Sequence, residues 1–460
     1  MGQIKPAPRA RTILIFLMLL NILNMVDRSL IASFGPQISR DLNLTDSQFG
    51  LLTGLIFVFF YVLMGLFMGA LADRVNRPRL IAAGLILWSV LTAVSGAAKN
   101  FFQIGIARLF IGIGESTMTP ASMSMLSDLF PAEKRGSATG LYYLGIPLGA
   151  GGSFLVAGIL GPMIGWRNCF YLLGGIGVLL SVGLLIMSDP KRGAMEPAVE
   201  GNTVAESTVA ESTVAESTVA ESMVAESTVE GIPRAAEKTM HWRESVAAVG
   251  ETLKTNRALL WTMIGAIFLH IPLGAGQFSM LWLESERGFD GAEIATIYGI
   301  VYVVFGTAGT FFGGVLSDWY QARFKGGRLR FLALLMITIA PLTVGYRFAS
   351  PESPIFYLGM CMALFSVSSF YGPAFSTVQD LTPPRLRGVM TAVLLVACNL
   401  LGLGLGAYMT GLFVEMFRAM DVATPYTSGL LVGDVIGFLT IPSFLYAAVH
   451  LERRRKLQMA

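Results

Sequence analysis

Twelve stretches of 18 or more mostly apolar residues mark out this chain, and no other feature limits its fold so tightly. About 20 such residues in a helix cross the roughly 30 Å hydrocarbon core of a bilayer. In lipid a spanning segment must satisfy its own backbone groups, which leaves helices and closed barrels. The runs are 13–34, 49–72, 80–98, 102–127, 137–160 and 166–187, then 258–283, 292–317, 329–348, 354–378, 389–416 and 427–449. Runs of this length read as spanning helices, so the expectation is an all-α integral membrane protein with twelve spans in two six-helix bundles. The first run has basic flanks but no small-residue cleavage site, and reads as a span instead of a signal peptide.

Composition agrees. Only 14% of the residues are charged, against about 25% in soluble chains. A net charge of +3 is too small to suggest a nucleic-acid partner. Cys169, Cys361 and Cys398 lie in apolar runs without CxxC spacing, so neither a disulfide framework nor a zinc site is expected. There is no GxxxxGK[ST] loop, no HExxH and no GxSxG, and histidine occurs only at 241, 270 and 450. An ATP-driven pump and a membrane hydrolase both lack their chemistry here. No cofactor and no enzymatic activity are expected.

Loop charges orient the chain. Connections on the side of both termini carry 25 Lys and Arg, and those on the other side carry 6. Basic residues stay cytoplasmic, so both termini are expected inside, in a cell (inner) membrane.

The runs divide six and six. Residues 1–187 form the first expected bundle, 188–256 a cytoplasmic linker and 257–460 the second bundle. Within the linker, TVAES recurs from Thr203 to Ser222; this acidic repeat, poor in large apolar residues, reads as disordered. After it, HWRESVAAVGETLK sets Trp242, Val246, Val249 and Leu253 on one helical face, a short amphipathic helix. The halves repeat one another. DLFPAEKRG at 128–136 returns as DLTPPRLRG at 380–388, and GALADR at 69–74 returns as GVLSDW at 314–319. This is parallel duplication of a six-helix unit.

Charges inside the runs carry the functional argument. NILNMVDRSL in the first run contains Asp27 and Arg28, and RLFIGIGES in the fourth contains Arg108 and Glu115. A charge at the bilayer centre costs about 2.5–3.5 kcal/mol on insertion scales. Arg108 and Glu115, seven apart, share one helix face about two turns apart. Gly112 and Gly114 lie between them and admit a close neighbour. Asn21, Asn24 and Arg28 form a stripe on the first run. At the repeat offset of the tenth run, Met360 and Val367 replace the charged pair, so the feature belongs to one half only. Burial raises the pKa of a carboxyl and a nearby guanidinium lowers it. A motion that shifts an arginine relative to Asp27 or Glu115 therefore changes proton affinity, which is a physical basis for proton coupling.

With GALADRVNRPR between spans two and three, the duplicated chain resembles the major facilitator superfamily. NMVDRSL, DRVNR, RLFIGIGES and GLYYLGIPLGAGG resemble its spinster branch, the sphingolipid and lysophospholipid transporters. The resemblance implies Asp27 and Glu115 as proton-coupling sites, with Arg28 and Arg108 as charged partners or head-group ligands. It also implies Asp73, Arg74, Arg77 and the degenerate copy Asp318 as a cytoplasmic gate. Asn24, Tyr142, Tyr143, Gln277 and Tyr371 are candidate cavity residues. The implied function is proton-coupled transport of a single-chain, amphipathic lipid by alternating access, with membrane lipids around the protein. The same Asp-Arg and Arg…Glu patterns occur in organic-anion/proton symporters, so a proton-coupled carrier of a small organic anion is the alternative.

Overall fold

The computed structural model describes residues 9–195, 242–324 and 326–459. The TVAES tract lies outside these residues. The described chain is helical throughout, without strands. Ten of its helices are long and apolar enough to cross a membrane. One of them, Glu133–Leu185, contains two of the apolar runs. The fourth run is carried by Phe101–Glu115 and Met118–Leu129, which are separated by a turn at Ser116 and Thr117. Every apolar run is thereby helical, and spans are numbered here by run.

Helix starts follow from local sequence. The side chains of Asn76, Asn100 and Asn256 accept backbone N–H groups at the starts of spans three, four and seven. Asp290 caps span eight, and Thr45 with Gln48 forms a capping box ahead of span two. Between spans five and six the chain reverses at Gly165, whose φ of 77° and ψ of 158° favour glycine. Trp242–Thr255 is a helix ahead of span seven, with Val249 buried.

Several spans are interrupted. Spans five, eight and eleven each contain a π-helical turn, at Val156–Leu160, Tyr302–Gly306 and Cys398–Gly404. Span seven passes through a 3-10 turn at Gly276–Phe278, just after Pro272. Span ten is interrupted at Phe370 as span four is at Ser116 and Thr117. Such irregular turns leave a helix locally deformable.

Polar contacts sort the loops into two faces. Residues after spans two, four and six meet one another around Arg77, Asp128 and Asp189. Those after spans eight, ten and twelve meet around Arg328 and Arg330. This even face lies opposite an odd face, where Asp41 meets Trp166 and Arg40 meets Glu284.

The halves touch along two seams lined by glycine. A Cβ at Gly54 of span two would lie 2.6 Å from the carbonyl oxygen of Gly404 in span eleven. A Cβ at Gly151 of span five would lie 2.8 Å from that of Gly299 in span eight. Backbones approach this closely only without side chains. On the even side of the same four spans, added Cβ atoms at Gly65, Gly69, Gly136, Gly140, Gly314 and Gly388 would meet nothing within 4 Å. The halves are joined at the odd face and part toward the even face.

Candidate functional site: a buried charge quartet between spans one and four

Asp27 and Arg28 lie in the final third of Ala10–Ser33, and Arg108 and Glu115 lie on Phe101–Glu115. Asp27, Arg108 and Glu115 are almost wholly buried; the Arg28 side chain keeps 23% of its surface exposed. The arginine Nε and Nη2 both donate to Glu115 Oε2, at 3.2 and 3.1 Å. Arg108 instead donates Nη1 and Nη2 to the backbone carbonyls of Asp27 and Arg28, at 3.3 and 2.5 Å. The partner of Glu115 is therefore the arginine of the other helix and not the one two turns away on its own. Neither oxygen of Asp27 has a hydrogen bond, nor does Glu115 Oε1.

Span two supplies the aromatic wall. The Arg28 guanidinium carbon lies 4.8 Å from the Phe57 ring centre and 4.3 Å from that of Tyr61; Arg108 lies 4.5 Å from Phe57. Ring faces attract cations, by about 2 kcal/mol where water is excluded. Phe57 and Tyr61 are themselves stacked, with centroids 5.5 Å apart. Gly112 admits them, since a Cβ there would lie 2.8 Å from the Phe57 carbonyl oxygen.

The other candidates divide by location. Asn24 is buried beside Glu115, with its amide nitrogen unpaired. Tyr142 is fully buried and its hydroxyl has no partner, whereas Tyr143 is half-buried and within electrostatic reach of Tyr61. Tyr371 opens the second part of span ten, in the second half, and lies within electrostatic reach of Arg28. Gln277 is half-buried in the interrupted turn of span seven. His270 is packed edge-on against Phe370 and Tyr371, with Nδ1 2.8 Å from the Ala266 carbonyl oxygen.

The even-face residues behave differently from one another. Arg77 is fully buried and ties its own half together: it pairs with Asp128 and Asp189 and donates to Ser124 Oγ and the Pro190 carbonyl. Arg328 does the corresponding work in the second half, bridging Asp318 and Asp380 at 2.8 Å each. Asp73 ends the helix Leu55–Ala72 and is exposed beside Arg74; neither side chain has a polar partner among the described residues.

Sequence reasoning missed two charge groups. Arg347, at the end of the ninth run, counts with the loop charges, yet it is buried and its Nε donates to Asp434 of span twelve at 3.1 Å. Asp434, an acid inside an apolar run, was the available signal. The second group joins the halves at the odd face. Asp46 pairs with Arg418 and accepts from the Tyr426 hydroxyl at 2.7 Å, and Glu415 accepts the Ser47 N–H at 2.8 Å. Arg40–Glu284 at 3.4 Å also crosses between the halves. Partners some 370 positions apart leave no spacing signal.

Comparison with known proteins agrees with this architecture. The family model Major Facilitator Superfamily matches residues 17–407. An MFS-type efflux pump of Mycolicibacterium smegmatis is 24% identical over 87% of this chain and 83% of its own. Probable sphingolipid transporter spinster homolog 1 of Arabidopsis thaliana is 31% identical, over 34% of this chain and 35% of that one. Among solved structures, a bacterial homolog to the human lysosomal transporter Spinster, in an inward-facing and unoccupied conformation, superposes with a TM-score of 0.73. It is 23% identical and the match covers 99% of both chains.

Proposed function

This chain belongs to the major facilitator superfamily, a family of transporters and not of enzymes, and from that membership we propose that it is a proton-coupled carrier of single-chain lipids, lysophospholipid or sphingoid-like, working by alternating access. The observation that carries the reading is the buried quartet of Asp27, Arg28, Arg108 and Glu115 in the first half alone. With both carboxyls ionised the quartet is neutral. One proton leaves it with a charge of +1, and an anionic head group restores neutrality. Proton and substrate thereby favour each other's binding, which is the differential interaction that coupling requires. Arg28 is the member with exposed surface; its guanidinium lies against the Tyr61 ring, and Tyr371 is within electrostatic reach.

The even face, with its excess of basic loops, is taken as cytoplasmic, in a bacterial-type inner membrane. The conformation is then inward-open, with the Asp46–Arg418 and Ser47–Glu415 contacts as the closed outer gate. Asp73 and Arg74, free in this state, are the residues that engage the second half when the inner side closes. Asp318, already paired with Arg328, braces the second half.

A lipid is favoured over a small organic anion by the parted stretch of spans two and eleven. There Leu63, Phe67, Leu71, Val389 and Leu395 are exposed, an apolar edge along which a tail can stay out of water. Exposing a sixteen-carbon tail costs about 13 kcal/mol at roughly 0.8 per CH₂. The name of the plant relative points the same way. The test is flux into proteoliposomes under an imposed pH gradient, offering lysophospholipid, a phosphorylated sphingoid base and small organic acids side by side. Gradient-driven movement of the lipids alone is the expected result. Movement of the acids with the lipids left behind overturns the assignment in favour of an organic-anion carrier.

A further inference from the structure

Asp27 stands out within the quartet because both neighbouring arginines are engaged elsewhere. Arg28 is turned to Glu115, and Arg108 to two backbone carbonyls. The carboxyl at 27 is 2% exposed and both of its oxygens lack a hydrogen bond. Buried polar groups in native proteins are nearly always satisfied, so each exception needs an explanation.

Span three places the side chains of Trp88 and Thr92 beside the Asp27 carboxyl. They are four residues apart, hence on one face one turn apart. The Trp88 indole N–H and the Thr92 hydroxyl are buried too, and both are without a partner. Two acceptor oxygens on span one thus lie beside two donors on span three that have no other partner. The indole nitrogen only donates, so it has a use for a carboxylate and none for a protonated carboxyl's O–H.

We propose that Trp88 and Thr92 are positioning residues that form a two-donor cradle for the ionised Asp27 carboxylate, and so set the pH at which the carrier gives up its proton. This rests on the proton-coupled reading above. The charged and titratable groups around Asp27 are Arg28 on its own helix and Arg108 and Glu115 on span four; the cradle is the contribution of span three. Span four also presses on the cradle mechanically. A Cβ at Gly114 would lie 3.1 Å from Trp88 Cβ and 2.7 Å from the Gly84 carbonyl oxygen, so the residue before Glu115 rests on the cradle helix. A shift of span four that alters the Arg28–Glu115 pair therefore also shifts Trp88. The two carboxyls are linked through packing as well as through charge.

The test is Trp88→Phe, which removes the N–H and keeps an aromatic ring, and Thr92→Val, which removes the hydroxyl and keeps the shape. The readout is the pH profile of lysophospholipid uptake in proteoliposomes, with KM measured alongside. A carboxylate that loses donors holds its proton more tightly. Each variant is expected to move the profile midpoint to higher pH by half a unit or more, with KM within twofold, and Thr92→Ser is expected to restore the wild-type profile. Infrared difference spectra are expected to show a protonated-carboxyl band that Asp27→Asn removes and Trp88→Phe displaces. Unmoved midpoints in both variants, in protein with a wild-type melting temperature, overturn the cradle. Failure of the parent reading is separate: there Asp27→Asn and Glu115→Gln themselves retain the pH dependence.

Discussion

Arg28 and Glu115, 87 positions apart, share a single carboxylate oxygen: Nε and Nη2 both donate to Oε2, while Oε1 is sealed in the interior without a partner. A pair of this kind resists the loss of one member more than the loss of both. Removing one partner of a buried pair costs about 3–5 kcal/mol, whereas replacing both is often neutral. In detergent at pH 8, Arg28→Ala is expected to lower stability by about 3 kcal/mol, and Arg28→Ala with Glu115→Gln to recover most of it. The deficit of the single variant shrinks as the pH falls, because a protonated Glu115 needs no counter-charge. Thermal unfolding of the three proteins at pH 5 and pH 8 checks both parts.

The paired arginines of the even face should differ sharply. Arg77 is fully buried and engages two carboxylates, a hydroxyl and a carbonyl, so Arg77→Ala is expected to cost about 3–5 kcal/mol. Arg328 bridges two carboxylates that are 66% and 63% exposed, and Arg328→Ala is expected to cost about 1 kcal/mol or less. Equal melting temperatures for the two variants contradict the distinction.

At the odd face, Asp46–Arg418 joins the halves in this conformation. Arg418 is half exposed, so the contact is worth about 1 kcal/mol at most. Asp46→Asn should therefore shift the balance between the two access states about fivefold toward opening at that face. Spin-label distances between the tips of the odd-face loops report the shift; an unchanged distance distribution counts against this contact as the gate.

A wedge tests the same motion by sterics. Gly151→Val puts side-chain atoms against Val303 and the Gly299 carbonyl, where even a Cβ is too close. The odd face then cannot close, and transport is expected to fall at least tenfold while the protein remains folded. Retained transport refutes the seam.

Much of this was legible in the sequence, for identifiable reasons. Spans and the six-plus-six division follow from apolar run length and the repeat at Asp128 and Asp380. Asp27, Arg28, Arg108 and Glu115 announce themselves because charge in an apolar run is costly. What stayed hidden depends on contacts between distant segments. Arg77 is expected as a cytoplasmic gate residue, and its enclosure by Asp128 and Asp189 of its own half has no signal in the loop sequence. Arg347 looked like an external loop charge, although it reaches inward to Asp434. Nor does helical spacing reveal which acceptor an arginine chooses, and so Asp27 could not be known to stand apart from both.

The central claim, that substrate passage and protonation of the quartet are one process, is tested most directly by following protons and not lipid. Proteoliposomes loaded with a pH-sensitive dye, with no gradient imposed, are given lysophospholipid outside, and the internal pH is recorded for the wild type and Glu115→Gln. The account predicts a substrate-triggered pH change in the wild type and none in the variant. Lipid movement with a flat dye signal in the wild type, or the same signal in both proteins, contradicts it.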